Sequence, residues 1–254
     1  WEEKGSNNLA GRIHTADIDF ENGLIYCGSA GGNIWRGTLE GENWISLNDY
    51  MQIKDINMIR VLKNGNSRRI VISSSKGVYY TDNEGLTIEK ASGIEFLDSW
   101  GSIGRALTRE EDGNMAIYIL SEEGNVGGGS ISCIYKSTDM GTSFTKIFSF
   151  NQPNGFSLSS SNNNNFDIWT LRYISSDLFV LHNNRLYTLN ANNDLVLQSE
   201  INTNSTGDVV LTGGSSNNHV TLYARVSDEI YYSSNSGNTW VYRGEIPQWM
   251  FTKN

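Results

Sequence analysis

The chain has 254 residues, of which 38% are hydrophobic and 19% charged, with 26 glycines, 2 prolines and a net charge of −9 at pH 7. That length is ample for a buried core, and one repetitive domain suits it better than two. The acidic balance, with a pI near 4.8, excludes the basic face that phosphate binding demands and hence a nucleic-acid partner, and no apolar run is long enough to span a membrane.

In chain order the residues read as short strands, with no amphipathic helix of a dozen residues. An apolar–aromatic pair recurs at Ile34-Trp35, Val78-Tyr79, Ile134-Tyr135, Leu186-Tyr187 and Ile230-Tyr231, the aromatics stepping by 44, 56, 52 and 44 residues. A period of about 40–50 residues is the size of a four-stranded blade. The predicted units are residues 10–50, 53–93, 101–150, 166–201 and 207–246, with 247–254 opening a further one. In the second unit the strands are expected at Ile56–Leu62, Arg69–Ser74, Gly77–Thr81 and Leu86–Lys90. In the fifth they are expected at Asp208–Thr212, His219–Val226, Glu229–Ser233 and Thr239–Arg243. Alternation and β-branched residues carry the strands, and Gly, Asn, Asp and Ser carry the turns. The polar stretches 157–165 and 202–207 cannot build a core and read as exposed, mobile loops, and 124–130 as a flexible hairpin connection.

Three of the aromatic pairs are followed by one turn pattern. It runs Thr81-Asp82-Asn83-Glu84-Gly85-Leu86-Thr87-Ile88, Ser137-Thr138-Asp139-Met140-Gly141-Thr142-Ser143-Phe144 and Ser233-Ser234-Asn235-Ser236-Gly237-Asn238-Thr239-Trp240. Gly at the fifth position supplies positive φ. The side chain at the third position bonds backbone N–H groups, the hydroxyls tie the hairpin ends, and Phe144 or Trp240 closes the turn with a large apolar surface. Gly37 to Trp44 keeps only the Gly and the Trp, and Leu189 to Val196 keeps almost nothing.

The pattern S-x-D-x-G-x-[ST]-[WF] resembles the Asp box of BNR-repeat β-propellers, the sortilin and sialidase-like superfamily. The opening Trp1, Leu9-Ala10-Gly11-Arg12-Ile13 and Ile25-Tyr26-Cys27-Gly28-Ser29-Ala30-Gly31-Gly32-Asn33-Ile34-Trp35 is similar to the first blade of secreted Asp-box proteins of Bacteroidota exported by type IX secretion. The resemblance implies an all-β fold, a β-propeller of four-stranded antiparallel blades with five blade repeats present. A larger propeller cut short is preferred over a closed ring of five, and the start at Trp1 suits a processed or excerpted product. It implies Thr81, Asn83, Gly85, Ser137, Asp139, Gly141, Phe144, Ser233, Asn235, Gly237 and Trp240 as structural turn residues. It also implies a secreted or cell-surface location, with secretion-system components among the partners.

Candidate chemistry is sparse. Cys27 and Cys133 read as small buried hydrophobes. His14, His182 and His219 are scattered, so no metal and no cofactor is expected. Asn204-Ser205-Thr206 is a glycosylation sequon that matters only in a eukaryotic secretory route. Arg60, Arg105 and Arg172 are placed on successive first strands, with Asp17 at the equivalent position of the first unit. They form either a polar lining paired with Asp17, Asp167 or Asp208, or a rim that grips a carboxylate. Trp100 and Trp169 are either blade-packing residues or aromatics for a glycan or protein partner. No Arg-Ile-Pro sialidase signature, facing acid pair, phosphate loop or zinc motif is present. The reading is a non-catalytic module that binds protein or glycan at the propeller face. The alternative is a sialidase-like or oligoxyloglucan-type glycoside hydrolase.

Overall fold

The computed structural model describes residues 12–47, 49–50, 53–64, 67–74, 77–98, 101–124, 130–150, 166–172, 177–190, 192–216 and 219–247. These residues form five four-stranded antiparallel sheets, each of four strands consecutive in the chain. The first holds β1 (Ile13–Asp19), β2 (Leu24–Ser29), β3 (Ile34–Thr38) and β4 (Ile45–Ser46). The second holds β5 (Ile56–Asn64), β6 (Ser67–Ser74), β7 (Gly77–Thr81) and β8 (Glu89–Lys90). The third holds β9 (Ser102–Glu111), β10 (Asn114–Gly124), β11 (Ser130–Ser137) and β12 (Thr145–Ser149). The fourth holds β13 (Phe166–Trp169), β14 (Leu178–His182), β15 (Arg185–Leu189) and β16 (Leu195–Glu200). The fifth holds β17 (Val209–Ser216), β18 (His219–Val226), β19 (Glu229–Ser233) and β20 (Val241–Glu245). Helix among the described residues is one 3-10 turn, Glu95–Asp98.

The five expected aromatics, Trp35, Tyr79, Tyr135, Tyr187 and Tyr231, all stand on third strands. Residues 202–207 contain no strand, and 202, 204 and 206 are exposed, as expected of a loop; the Thr203 hydroxyl donates to Glu229 of β19 and its oxygen accepts from the backbone N–H of Ser205 at 2.8 Å. Residues 157–165, 125–129, 1–11 and 248–254 lie outside the described residues. Cys27 and Cys133 are buried free thiols, and burial pushes the Cys27 thiol up.

Contact density divides the chain into two compact units. One contains Trp1–Ala106, Asn114–Gly124 and Tyr135–Lys146; the other contains Leu107–Gly113, Asn125–Ile134 and Ile147–Asn254. In the first unit, Tyr26 and Ile34 of the first sheet pack against Ile56, Ile59, Ile70 and Ile72 of the second. In the second unit, Trp169, Phe179, Leu181 and Leu186 of the fourth sheet pack against Leu211, Leu222, Ala224 and Tyr231 of the fifth. Alternation along each strand decides which residues do this. In these two pairs the earlier sheet turns one face, here called the front, to the sheet that follows it, and the later sheet turns its other face, the back, to the one before.

Candidate functional site

The three matching turns join third to fourth strands and close with the same bonds. The N–H of Gly85, Gly141 and Gly237 donates to the hydroxyl of Thr81, Ser137 and Ser233, each at 2.9 Å. The side-chain oxygen of Asn83, Asp139 and Asn235 accepts the N–H of Thr87, Ser143 and Thr239 at 2.9, 2.9 and 3.0 Å. Two residues in each turn lie in the left-handed region, the glycine and the residue before it, such as Met140 at φ 57° and Gly141 at φ 85°. Burial pushes the Asp139 carboxyl up, but bonds from Ser143 and Ser137 outweigh it and hold the group below its ordinary value. The first and fourth turns use other means. The Trp44 indole donates to the carbonyl of Gly41 at 2.9 Å, and Asn190 accepts the N–H groups of Asn192 and Asp194, each at 2.9 Å.

Each matching turn also bonds the sheet before it. Arg36 of β3 donates to Glu84, and Arg68, which pairs with Glu84 at 3.0 Å, also pairs with Asp19 of β1 at 2.9 Å. The Tyr26 hydroxyl sits in that cluster, and burial together with Glu84 raises its pKa to about 12. Arg69 of β6 donates to the Thr142 hydroxyl at 2.6 Å. Gln198 and Ser199 of β16 donate to the carbonyls of Ser236 and Gly237, each at 2.5 Å, and the Trp240 indole donates to Ser199 at 3.0 Å. Phe144 is buried and Trp240 packs on the core of the fourth and fifth sheets.

First strands carry a second set of links. The Thr15 hydroxyl accepts the N–H of Ile59 at 3.3 Å, and the Asp17 carboxylate accepts that of Val61 at 2.8 Å. The Asp167 carboxylate accepts the N–H of Leu211 at 2.7 Å and of Ile168 at 2.9 Å. Thr15 and Asp167 hold the same register, since the next residue in each case pairs through the second strand with the third-strand aromatic. The same register places Asp17 opposite Tyr26 and Arg60 opposite Val71, so those two are equivalent as expected. Arg172 departs from expectation. β13 ends at Trp169, and it is Trp169 that occupies the Arg60 position. Arg172 lies three residues beyond, where its carbonyl accepts the N–H of Glu110 at 2.8 Å. The Arg60 guanidinium donates to the carbonyl of Ile59 at 2.7 Å, and Arg105 lies on β9. Trp169 is buried against Phe179, with ring centroids 6.2 Å apart, and packs between sheets rather than facing solvent. Trp100 lies outside the described residues.

The shifted carboxylates are committed to structure. Burial raises Asp19, but Asn22 and Arg68 outweigh it and hold it low, and Glu229 is held low by Thr203 and Tyr231. His182 stacks on Phe166 at 4.1 Å, and burial, then Arg185, lowers its pKa to about 4. Among the described residues, no group of three His, Cys, Asp or Glu side chains is placed to hold a metal ion. Sequence reasoning passed over Phe20 in the β1–β2 turn and Tyr50 between β4 and β5, which are among the most exposed large side chains. An aromatic in a turn, away from strand alternation, was the available signal.

No family model and no curated protein matches the sequence. Solved structures do. The extracellular domain of the putative one component system BT4673 from B. thetaiotaomicron is similar at a TM-score of 0.60 and 12% identity, over 95% of this chain and 29% of that one. YCF48 bound to D1 peptide is similar at 0.58 and 14%, over 91% of this chain and 66% of that one. The fold is a β-propeller of four-stranded blades. An oligogalacturonate lyase in complex with manganese shares it at 0.55 and 8%, over 93% of this chain and 66% of that one. The chain thus spans less than a third of the BT4673 domain and about two thirds of the other two. No helix among the described residues is long and apolar enough to cross a membrane.

Proposed function

We propose that this chain is a non-catalytic propeller module that binds a protein partner through an extended segment, and that it works outside the cell or on its outer surface as cargo of type IX secretion. The observation that carries the reading is a division of labour among side chains. The carboxylates with shifted protonation, Asp19, Asp139 and Glu229, are held in ion pairs and turns, while Phe20 and Tyr50 stand exposed at the sheet ends. An enzyme concentrates perturbed groups at one cleft, and a binding surface presents aromatic anchors. The peptide held by the similar YCF48 fold supports the same choice. The three matching turns are Asp boxes on this reading, which ties the chain to secreted BNR-repeat proteins.

The test is binding of the folded chain to an array of extended peptides and, in parallel, to a glycan array. Saturable peptide binding that weakens at least several-fold in Phe20→Ala or Tyr50→Ala supports the module, and a bare peptide array with glycan capture replaces the protein partner with a sugar.

A second reading, a carbohydrate-processing propeller, is favoured by the fold shared with the oligogalacturonate lyase and by Arg60 and Arg105 on first strands. Release of sialic acid or cleavage of xyloglucan oligosaccharides, lost in Arg105→Ala, would establish it.

A further inference from the structure

Three exposed apolar side chains share one end of the first two sheets. Strands laid down in chain order put the β1–β2 and β3–β4 turns at one end of a sheet. The β2–β3 turn and the link to the next sheet fall at the other. Phe20 lies in the β1–β2 turn, Leu39 follows β3, and Leu86 lies between β7 and β8. They are 79%, 39% and 83% exposed. Tyr50, in the link from β4 to β5, belongs to the opposite end.

These turns are fastened to one another. The Leu39 N–H donates to the carbonyl of Gly23 at 3.0 Å, tying the turn after β3 to the one that holds Phe20. Arg68 bridges Asp19, next to Phe20, and Glu84, two residues before Leu86. Exposed singly, such residues are ordinary; on turns bonded to each other they make an apolar patch, and bracing lowers the cost of ordering it on binding. The charge around the patch has one sign to spare. Arg36 is taken up by Glu84, Arg68 by Asp19, Lys63 by Glu21 and Arg69 by Asp82. The carboxylates of Glu40 and Glu42, exposed in the turn of Leu39, meet no cation among the described residues.

We infer that this end of the first two sheets docks the extended segment of a protein partner, and that the segment is basic, with apolar residues set between Lys or Arg. The inference rests on the protein-binding reading and gives that partner its chemistry. The apolar residues of the segment lie on Phe20, Leu39 and Leu86, and its cations face Glu40 and Glu42. Anchors of the first kind carry affinity, and charges at the rim set the encounter rate and the choice of partner. An anionic membrane surface fits less well, because those carboxylates and a net charge of −9 repel it.

Fluorescence anisotropy with two labelled synthetic peptides tests this, one with leucines set between lysines and one with the same leucines set between glutamates. The lysine peptide should bind saturably and lose affinity as salt is raised, and the glutamate peptide should not bind. Phe20→Ser and Leu86→Ser should each weaken binding several-fold. Glu40→Gln combined with Glu42→Gln should do so at low salt and flatten the salt dependence. Leu197→Ser, at an exposed leucine of β16, should change nothing. All these side chains are outside the core, so far-UV spectra should match wild type; if Phe20→Ser fails to fold, Leu39→Ser replaces it. Preference for the glutamate peptide, or lysine-peptide binding untouched by the turn variants, overturns the inference and leaves a protein partner in place. A chain that binds neither these peptides nor any on a general array overturns both. Capture by neutral-lipid vesicles, lost in Phe20→Ser and with neither peptide bound, assigns the patch to a membrane and overturns the inference too.

Discussion

The carboxylate of Asp167 on β13 accepts the backbone N–H of Leu211 on β17 at 2.7 Å, joining the first strands of two successive sheets through a side chain. Both residues are buried, so the bond is made where water cannot replace it. Asp167→Ala strands the Leu211 donor and should destabilise the fold by about 1–3 kcal/mol. Chemical denaturation should show a lower midpoint, with Asp167→Asn, which keeps one acceptor oxygen, falling between variant and wild type.

Gly237 has φ +82°, and a methyl group there would press on the side chains of Leu186 and Leu222. Gly237→Ala should therefore cost more than about 1 kcal/mol through backbone strain and contact together. Gly31→Ala is the comparison, since its added methyl would meet open space. A thermal melt in which both variants match wild type would remove the close seating of the turn from the account.

Asp139 is exposed, and its carboxylate accepts both the N–H and the hydroxyl of Ser143, at 2.9 and 2.6 Å. Asp139→Ala should cost about 1 kcal/mol, the net worth of a hydrogen bond that water partly replaces, and should leave partner binding unchanged. Lost binding at an unaltered melting temperature would make the turn a functional site. Because the folded carboxyl is held below its ordinary value, its contribution is present above the unfolded pKa of about 3.9 and is lost as pH falls through the lower folded value.

His182 behaves in the same direction for a different reason. Its imidazole is kept neutral in the folded chain, with a pKa of about 4, whereas an unfolded His takes up its proton near about 6.5. Unfolding therefore binds a proton between those values, and stability should drop as pH is lowered through that window. His182→Phe keeps a ring against Phe166 and should flatten the melting-temperature profile from pH 6.5 to 4. An unchanged profile would assign the slope elsewhere.

Blade architecture was legible because each third strand carries an apolar–aromatic pair and three of them run into one turn pattern. In the second and fifth units β7, β18 and β19 begin and end where alternation and turn chemistry say, whereas β8 starts three residues later than expected, β17 runs four residues past its expected end and β20 is shifted by two. The first-strand row was not legible. Arg172 reads as the counterpart of Arg60, but the short β13 puts Trp169 there instead. The links from Thr15, Asp17 and Asp167 leave half of their signature invisible, because the donor is a main-chain N–H that every residue but proline carries. Phe20 and Tyr50 stand in turns, where the aromatic itself is the signal but no strand alternation says which way its side chain faces.

The turns at Glu84, Thr142 and Ser236 all reach backwards, to residues of the sheet made earlier in the chain. That polarity bears on the order of synthesis. A chain that emerges from the ribosome amino end first folds its early parts before its later ones exist, and in a repeat protein each unit leans mainly on its neighbours. With the clasp placed late in the second, third and fifth units and its seat placed in the unit before, each of these newly emerged segments meets a platform already standing and need not wait for one still unmade.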